Sequence, residues 1–275
     1  MTDGGRARGF APLVVAVAVC LVAFTVLVPT LGEGRPANEI ALVDLSDDRD
    51  PASPTAEAWD DVPTTDVPMA SAQADVPNAE DVTVESVAVE AASTDDRLYL
   101  RLSWNDSTVD DESGAPEAFA DAVAVQLPTD GTEQPPITMG GDDNTVNVWY
   151  WNARAGGQEL LAGGPGTTTA LGNSTVETEA VRDGDRWRVV FVRDRTVDGA
   201  DNRTAIGGDR DVDVSLAAWN GSNAERAGQK SVSEWYYLPF GPGPAGPPYE
   251  AILWTVAGLA VAVVIAVTIL GVRRT

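Results

Sequence analysis

Apolar and polar positions alternate through the middle of the chain. In Leu98–Ser103 each leucine is followed by a tyrosine, an arginine or a serine, and a period of two is typical of a β-strand. No stretch of this region has a sustained helical period. We therefore expect an all-β fold, an antiparallel β-sandwich of two packed sheets. Further strands of the same kind, short and rich in β-branched and aromatic residues, are predicted at Val82–Val89, Ala122–Leu127, Val146–Trp151, Trp187–Val192, Val212–Trp219 and Val232–Leu238.

The two ends of the chain have a different, uniformly apolar pattern. Ala11–Leu31 is an uncharged run of 21 residues that follows two arginines, and Ala251–Val272 is an uncharged run of 22 that precedes two more. About 20 apolar residues span a bilayer as a helix. The second run is predicted to be a transmembrane helix, whereas the first is either an uncleaved anchor or a secretory signal. The flanking arginines place the C-terminus in the cytoplasm and the folded domain outside the cell membrane.

These runs divide the chain into five parts. Residues 1–31 are the N-terminal anchor or signal, and Gly32–Glu57 is acidic, contains proline and is expected to be a tether. The folded domain is predicted at Ala58–Leu238. A Pro/Gly linker at 239–250 and the transmembrane helix at 251–272 follow.

The strand Val146–Trp151 is apolar or aromatic on both faces. Its even positions are Val, Val and Tyr, and its odd positions are Asn, Trp and Trp. A sandwich strand with one face in water should be polar on that face. Either a loop or a partner covers the second face, or its aromatic side chains line a pocket for a flat ligand, and the sequence leaves both open.

The charged and sulfur-bearing residues exclude many kinds of site. The chain has 42 acidic and 18 basic residues, a net charge of −24, no histidine and one cysteine, Cys20. It cannot build a histidine-based triad, a histidine-ligated zinc or haem, an internal disulfide or an iron–sulfur cluster. Nucleic acid is a poor partner for so negative a surface. The acidic excess is spread along the chain, which favours salt adaptation over an acidic face for a basic partner.

Lys230 and Met139 are the candidate metal ligands. Lys230 is the only lysine, since the other 17 basic residues are arginine. This single lysine is present either by chance or because it has a role that arginine cannot fill. A lysine amine can lose its proton and bind a metal, whereas arginine stays protonated. Met139 lies in a glycine-backed turn, Ile137–Gly141. It is either a core methionine or, paired with Lys230, a thioether ligand of haem iron.

Several short motifs in order carry a resemblance to a known family. Met139-Gly140 precedes the strand VNVWYW. The later motifs are, in order, WRVVFVR, VSLAAWNG and GQKSVSEWYYLPF. Upstream of all of them lie Ala58-Trp59 and the strand RLYLRLSWND. Across about residues 55–240 the chain resembles the haem b subunits of molybdenum enzymes related to ethylbenzene dehydrogenase. That group includes selenate, chlorate and dimethylsulfide enzymes and salt-adapted respiratory nitrate reductases. In this family a β-sandwich holds one haem b through a methionine and a lysine, and the matching positions here are Met139 and Lys230.

The resemblance implies an electron-transfer subunit and not a catalyst, and the predicted C-terminal span indicates that this one is anchored in a membrane. It would relay electrons between the membrane side and an iron–sulfur subunit, with a molybdopterin catalytic subunit beyond it, and nitrate is one candidate substrate. We expect Trp149 and Trp219 to line the haem pocket and Arg226 to pair with a haem propionate. The predicted C-terminal span departs from the family's soluble members.

A second interpretation comes from a different class of protein. Immunoglobulin-like and carbohydrate-binding-module-like sandwiches also bind sugars, and Trp149, Trp151 and Trp219 are candidates to stack on sugar rings in a cell-surface adhesion module without haem. Two short acidic segments, Asp142-Asp143 and Asp198–Arg203, lack the full spacing of an EF-hand calcium loop. We expect both to be solvated turns.

Overall fold

The computed structural model describes residues 38–46, 49–111, 118–129, 134–197, 202–208 and 210–241. Both predicted membrane spans and most of the Pro/Gly linker lie outside these residues. Within the described ranges, no helix is long and apolar enough to span a membrane. The helices described there are two short 3₁₀ turns, Glu57–Asp61 and Gly221–Asn223.

The described residues form two β-sheets, which confirms the all-β prediction. The first sheet has the strand order β1-β4-β5-β11-β10, with β2 also paired to β4. All its pairs are antiparallel except β1 with β4. Its strands are β1 Leu42–Asp44, β2 Thr65–Pro68, β4 Ser86–Ser93, β5 Arg97–Asn105, β10 Val176–Asp183 and β11 Arg186–Asp194.

The second sheet has the order β3-β13-β12-β6-β7-β8-β9, with β14 also paired to β12. All of its pairs are antiparallel. Its strands are β3 Ala70–Ser71, β6 Ala122–Pro128, β7 Val146–Asn152, β8 Gly156–Ala162, β9 Thr169–Ala170, β12 Val212–Trp219, β13 Ser231–Val232 and β14 Tyr236–Leu238.

The main core lies between the two sheets. The leucines of β5 and the alternate apolar residues of β6, β11 and β12 form one buried cluster there. Trp104, Trp151 and Trp187 meet inside it, with ring centroids 5.1 to 6.3 Å apart. Large rings bury much apolar area and favour edge or offset contacts, so these tryptophans are part of what holds the sheets together.

The outer face of the first sheet is covered by the N-terminal part of the described chain. Trp59 is buried against Tyr99, Val190 and Val192, so the second face of this sheet is apolar because a segment packs on it. The structure differs here from the predicted tether at 32–57. Leu42–Asp44 pairs in parallel with β4, and Leu45 is buried. The few apolar side chains of this acidic segment pack on the sheet, so this part of the segment is ordered by burial.

The predicted strand Val232–Leu238 is two strands in the structure. β13 and β14 both pair with β12, but Ser233 interrupts the run between them. The Ser233 N–H donates to the Leu216 carbonyl (3.0 Å), and its hydroxyl accepts from the Leu216 N–H (2.9 Å). A side chain that takes the place of a ladder bond lets the strand bend without leaving a backbone group unpaired.

Candidate functional site

The outward face of the second sheet has a depression at its centre. Strand register places Tyr150, Ala124, Ala217 and Val232 in one row across β7, β6, β12 and β13. Paired residues share a face of the sheet, and two alanines side by side leave space between larger neighbours. The sheet itself therefore forms the floor of a mainly apolar pocket.

The next row of the same face adds polar groups to the floor. Val148, Gln126 and Ser215 are directly opposite one another on β7, β6 and β12. Gln126 and Ser215 are buried. Gln126 Nε2 donates to the carbonyl of Ile137 at 3.4 Å, which ties the loop above the sheet to its floor.

Met139 lies on that loop. Its φ of 73° and the φ of 76° at Gly140 are both in the left-handed region, which non-glycine residues seldom adopt. A Cβ at position 140 would lie 2.6 Å from the Asn144 carbonyl oxygen, so glycine is required there. The tight turn, closed by a hydrogen bond from the Gly140 N–H to the Pro136 carbonyl (3.0 Å), brings the Met139 side chain to the pocket.

Lys230 reaches the same pocket from the opposite edge. It directly precedes β13, and its carbonyl accepts a hydrogen bond from the Ala72 N–H at 3.1 Å. The side chain is 6% exposed, and Nζ lies 5.3 Å from the centre of the Trp219 ring. Its amine has neither an ion pair nor a hydrogen bond with any residue that the structure describes.

Burial lowers the pKa of Lys230 to about 8. An ammonium taken out of water without a counter-charge loses solvation, which favours the neutral amine. Near neutral pH this lysine can therefore release its proton far more readily than an exposed one. The pocket presents a thioether and a readily deprotonated amine, the two neutral donors predicted from the sequence.

Trp219 also borders the pocket, while Trp149 does not. Trp219 meets Tyr150 edge to face, with ring centroids 5.7 Å apart, and its Nε1 donates to the Ala227 carbonyl at 3.3 Å. Trp149 is fully buried between the sheets, with its Nε1 on Asn147 Oδ1 at 3.0 Å. The expected role of Trp149 as a pocket residue is therefore corrected, because the odd positions of β7 face the core.

Arg226 is placed away from the pocket. It is exposed, and its guanidinium stacks over the ring of Phe119 at 4.7 Å; it is not among the residues that line the pocket with Met139 and Lys230. Pairing with a haem propionate stays a prediction. The sequence did not indicate that Ala124, Ala217 and Gln126 form the pocket floor. Their positions depend on the register between strands, which the sequence of a single strand does not reveal.

The chain is similar to proteins of one known family. Residues 56–181 match the family model described as ethylbenzene dehydrogenase. Over 265 residues the chain is 52% identical to a protein of Haloferax mediterranei that is named as a respiratory nitrate reductase haem subunit, with 96% of each chain covered. The chain belongs to the ethylbenzene dehydrogenase-like family of haem gamma subunits. This membership confirms the resemblance drawn from the motifs.

Two further members of the ethylbenzene dehydrogenase-like family match at lower identity. The gamma subunit of chlorate reductase from Ideonella dechloratans is 35% identical, over 70% of this chain and 80% of its own. The gamma subunit of dimethylsulfide dehydrogenase from Rhodovulum sulfidophilum is 31% identical, over 73% and 79%. Both are named as subunits of oxidoreductases, as the Haloferax protein is.

Among solved structures, a family 9 carbohydrate-binding module of Caldicellulosiruptor kristjanssonii in complex with glucose is similar in part. It is 12% identical with a TM-score of 0.44, and the match covers 76% of this chain and all of that one. Its complex with cellotriose also has a TM-score of 0.44 and 12% identity. At these values the likeness supports no inference about ligands.

Proposed function

We propose that this chain is the haem b electron-transfer subunit of a molybdopterin oxidoreductase complex, with Met139 and Lys230 as the axial ligands of the iron. The observation that carries the proposal is that both side chains line one apolar pocket. They approach it from different segments, a turn before β7 and the start of β13. The named functions of the 52% identical relative and the two gamma subunits support the same assignment.

The donors in the pocket fit a haem iron. Methionine sulfur binds haem iron as a neutral ligand and raises its potential. An amine binds a metal only without its proton, and burial already brings Lys230 close to that state. The single cysteine, Cys20, lies far outside the predicted domain, so the two thioether bonds of a c-type haem cannot form and the haem would be held non-covalently.

The ligand set also supports electron transfer over catalysis. Met139 and Lys230 would both bind the iron and leave no coordination site for a substrate, and the haem would supply a one-electron couple. The protein residues hold the ligands in place and exclude water. Trp219 lines one side of the pocket with Tyr150 packed against its ring, and the small side chains of Ala124 and Ala217 form part of the floor on which a haem would lie.

The partners and location in the proposal follow from the family and the sequence. An iron–sulfur subunit would exchange electrons with this chain, and the clusters would belong to that subunit because one cysteine cannot build one. A molybdopterin subunit would carry out catalysis. The 52% identity to a nitrate reductase haem subunit supports nitrate as the substrate of the complex. The predicted helix Ala251–Val272 would anchor the chain, with the sandwich on the extracytoplasmic side.

The carbohydrate-binding alternative loses two of its three tryptophans. Trp149 and Trp151 are buried in the core between the sheets, where no sugar ring can stack on them. Only Trp219 of the three borders the outward pocket. A sugar platform needs exposed, adjacent rings, so the described surface favours the haem proposal.

Visible spectroscopy of the purified full-length chain tests the proposal. We expect a six-coordinate low-spin haem spectrum with a sharp reduced α-band. Lys230→Arg keeps the charge but offers no free electron pair, and Met139→Leu removes the sulfur, so each should change or abolish that spectrum. Met69→Leu is the matched control, because Met69 is a buried core methionine.

Two results would contradict the proposal. Unchanged spectra in both Lys230→Arg and Met139→Leu would show that the iron has other ligands. A colourless, folded chain that takes up no haem and is retained on polysaccharide would instead support the adhesion module.

A further inference from the structure

Three aspartates come together where β5 ends and β6 begins. In sequence they are distant from the proposed haem ligands Met139 and Lys230. Asp106 directly follows β5, Asp121 directly precedes β6, and Asp110 lies in the connection between them. One carboxylate oxygen from each lies within 4.8 Å of those of the other two. Asp106 and Asp121 are buried, with 4% and 0% of their surface exposed.

One oxygen of the Asp106 carboxylate lacks the hydrogen-bond partner that a buried polar atom usually has. This oxygen, Oδ2, is buried and accepts no hydrogen bond from any described residue. None of the three aspartates has an ion pair within the described part of the chain. The nearby Arg182 guanidinium donates to the backbone carbonyl of Asp106 at 2.7 Å, not to its carboxylate. A buried, unpaired carboxylate is costly unless a positive charge reaches it.

Other carboxylate oxygens of the cluster accept hydrogen bonds from nearby groups. Asp121 Oδ1 accepts from the Gly221 N–H (2.9 Å), and its Oδ2 accepts from the Trp187 indole (3.1 Å) and the Asp110 N–H (3.1 Å). Asp106 Oδ1 accepts from the N–H and hydroxyl of Thr108. Asp110 Oδ2 accepts from the Thr108 hydroxyl at 2.7 Å. Hydrogen bonds therefore position four of the six carboxylate oxygens before any ion binds.

The spacing of these oxygens suits one hard cation. Calcium binds oxygen ligands at about 2.3–2.6 Å, so two oxygens on the same ion lie no more than about 5 Å apart. Mg²⁺ demands shorter bonds and near-ideal octahedral geometry, which a buried set of three fixed carboxylates does not readily supply. The three oxygens, all within 4.8 Å of one another, lie close enough to share one ion, and the preference for calcium rests on its tolerance of irregular ligand geometry.

We propose that Asp106, Asp110 and Asp121 bind a calcium ion. The ion would join the end of β5 to the start of β6. Through Asp121 it would also fix Gly221, whose backbone is packed so closely that a Cβ there would lie 2.1 Å from the Phe119 carbonyl oxygen. Gly221 begins the 3₁₀ turn on the segment that leads to Lys230.

Terbium luminescence tests the site directly, because Tb³⁺ replaces calcium and is excited through a nearby indole. Trp187 donates to Asp121 Oδ2 at 3.1 Å, so bound Tb³⁺ would lie close to it. We expect the haem-free full-length chain, in molar NaCl to suppress exposed carboxylates, to give saturable emission at one ion per chain that CaCl₂ displaces. Asp106→Asn and Asp110→Asn should each weaken binding at least tenfold.

Asp143→Asn is the matched control, since Asp143 is an exposed aspartate in the bend after Met139, and it should bind Tb³⁺ like the unmodified chain. If Asp106→Asn does not fold, Asp110→Asn decides, because Asp110 is only half-buried. Absence of sensitised emission, or equal binding by the unmodified chain and both site variants, would overturn the proposal. Haem plays no part in this assay, so failure of the haem proposal would leave its result unchanged.

Discussion

Lys230 shows how its surroundings change the chemistry of one side chain. It is the only lysine in the chain, and its amine lies against the Trp219 ring rather than in water. A ring face stabilises a cation modestly, which is less than full hydration provides. Burial dominates, and the pKa of the amine falls.

The low pKa of Lys230 predicts how stability depends on pH in the haem-free protein. The unfolded chain holds this proton up to about pH 10.5 and the folded chain only up to about pH 8. Between these values the unfolded state binds more protons, so the free energy of unfolding rises with pH, by at most about 1.4 kcal/mol per unit. Below pH 8 the contribution is constant.

Denaturant unfolding of the haem-free chain and of Lys230→Met, from pH 7 to pH 10.5, checks this prediction. The difference between the two free energies should change only above pH 8, since methionine has no proton to lose and the other titrating groups are shared. A difference that stays flat across the whole range would mean that Lys230 is solvated in the folded chain.

Residue types indicated the proposed ligands better than they indicated the residues of the surrounding pocket. Met139 and Lys230 stood out because each is rare in this chain, and the structure brings both to one pocket. Trp149 was misassigned because β7 is apolar on both faces, and only the pairing of sheets decides which face becomes the core. The buried carboxylates of Asp106 and Asp121 were hidden among 42 acidic residues.

At the scale of elements, the pocket depends on the pairing of β6 with β12. Ala124 and Ala217 are directly opposite each other, flanked by Tyr150 on β7 and Trp219 two positions along β12. Sheets usually gain stability from large cross-strand pairs. The small pair Ala124–Ala217 therefore contributes less cross-strand packing than larger residues would, and it leaves the pocket open above the sheet.

Filling that space should block haem without unfolding the domain. Ala217 is half-buried at the pocket floor, so Ala217→Leu projects into the pocket and not into the core. We expect loss of most haem binding, measured by haem titration, with an unchanged circular dichroism spectrum. Ala155→Leu, in the exposed turn between β7 and β8, is the control and should bind haem normally. Full haem occupancy in Ala217→Leu would place the haem elsewhere.

The sequence predicted most central strands well and the edge strands poorly. The exception is β4, a central strand of the first sheet, which spans Ser86–Ser93 and lies four residues later than the predicted Val82–Val89. Val212–Trp219 has the predicted bounds, and β6, β7 and β11 extend theirs by one to three residues. β8 and β10 were missed, because their glycines and charged residues obscure the alternation and much of each strand is exposed. β1 was missed because its pairing with β4 depends on a long-range contact that local composition cannot indicate.

At the scale of the whole molecule, the net charge of −24 is the dominant feature. Repulsion among so many carboxylates opposes the compact state. A few arginines offset it locally, as where Arg101 forms a 2.6 Å ion pair with the largely buried Glu90. Most of the acidic excess has no such partner to balance it.

We therefore expect the folded chain to become more stable as salt increases. The Debye length falls from about 10 Å at 0.1 M to about 3 Å at 1 M, so the thermal midpoint should rise steeply over this range of KCl and then level off. Sucrose at matched osmolality is the control for surface exclusion and should have a smaller effect. A midpoint that is flat or falls in KCl would count against salt adaptation.

One hydrogen bond joins the two sides of the pocket. The indole of Trp235, five residues after Lys230, donates to the Pro135 carbonyl at 3.1 Å, four residues before Met139. This hydrogen bond thus links the segment that carries Met139 directly to the segment that carries Lys230. If Met139 and Lys230 hold a haem as proposed, we expect the distance between these two side chains to stay nearly constant on oxidation and reduction, and so small a rearrangement would favour rapid electron transfer.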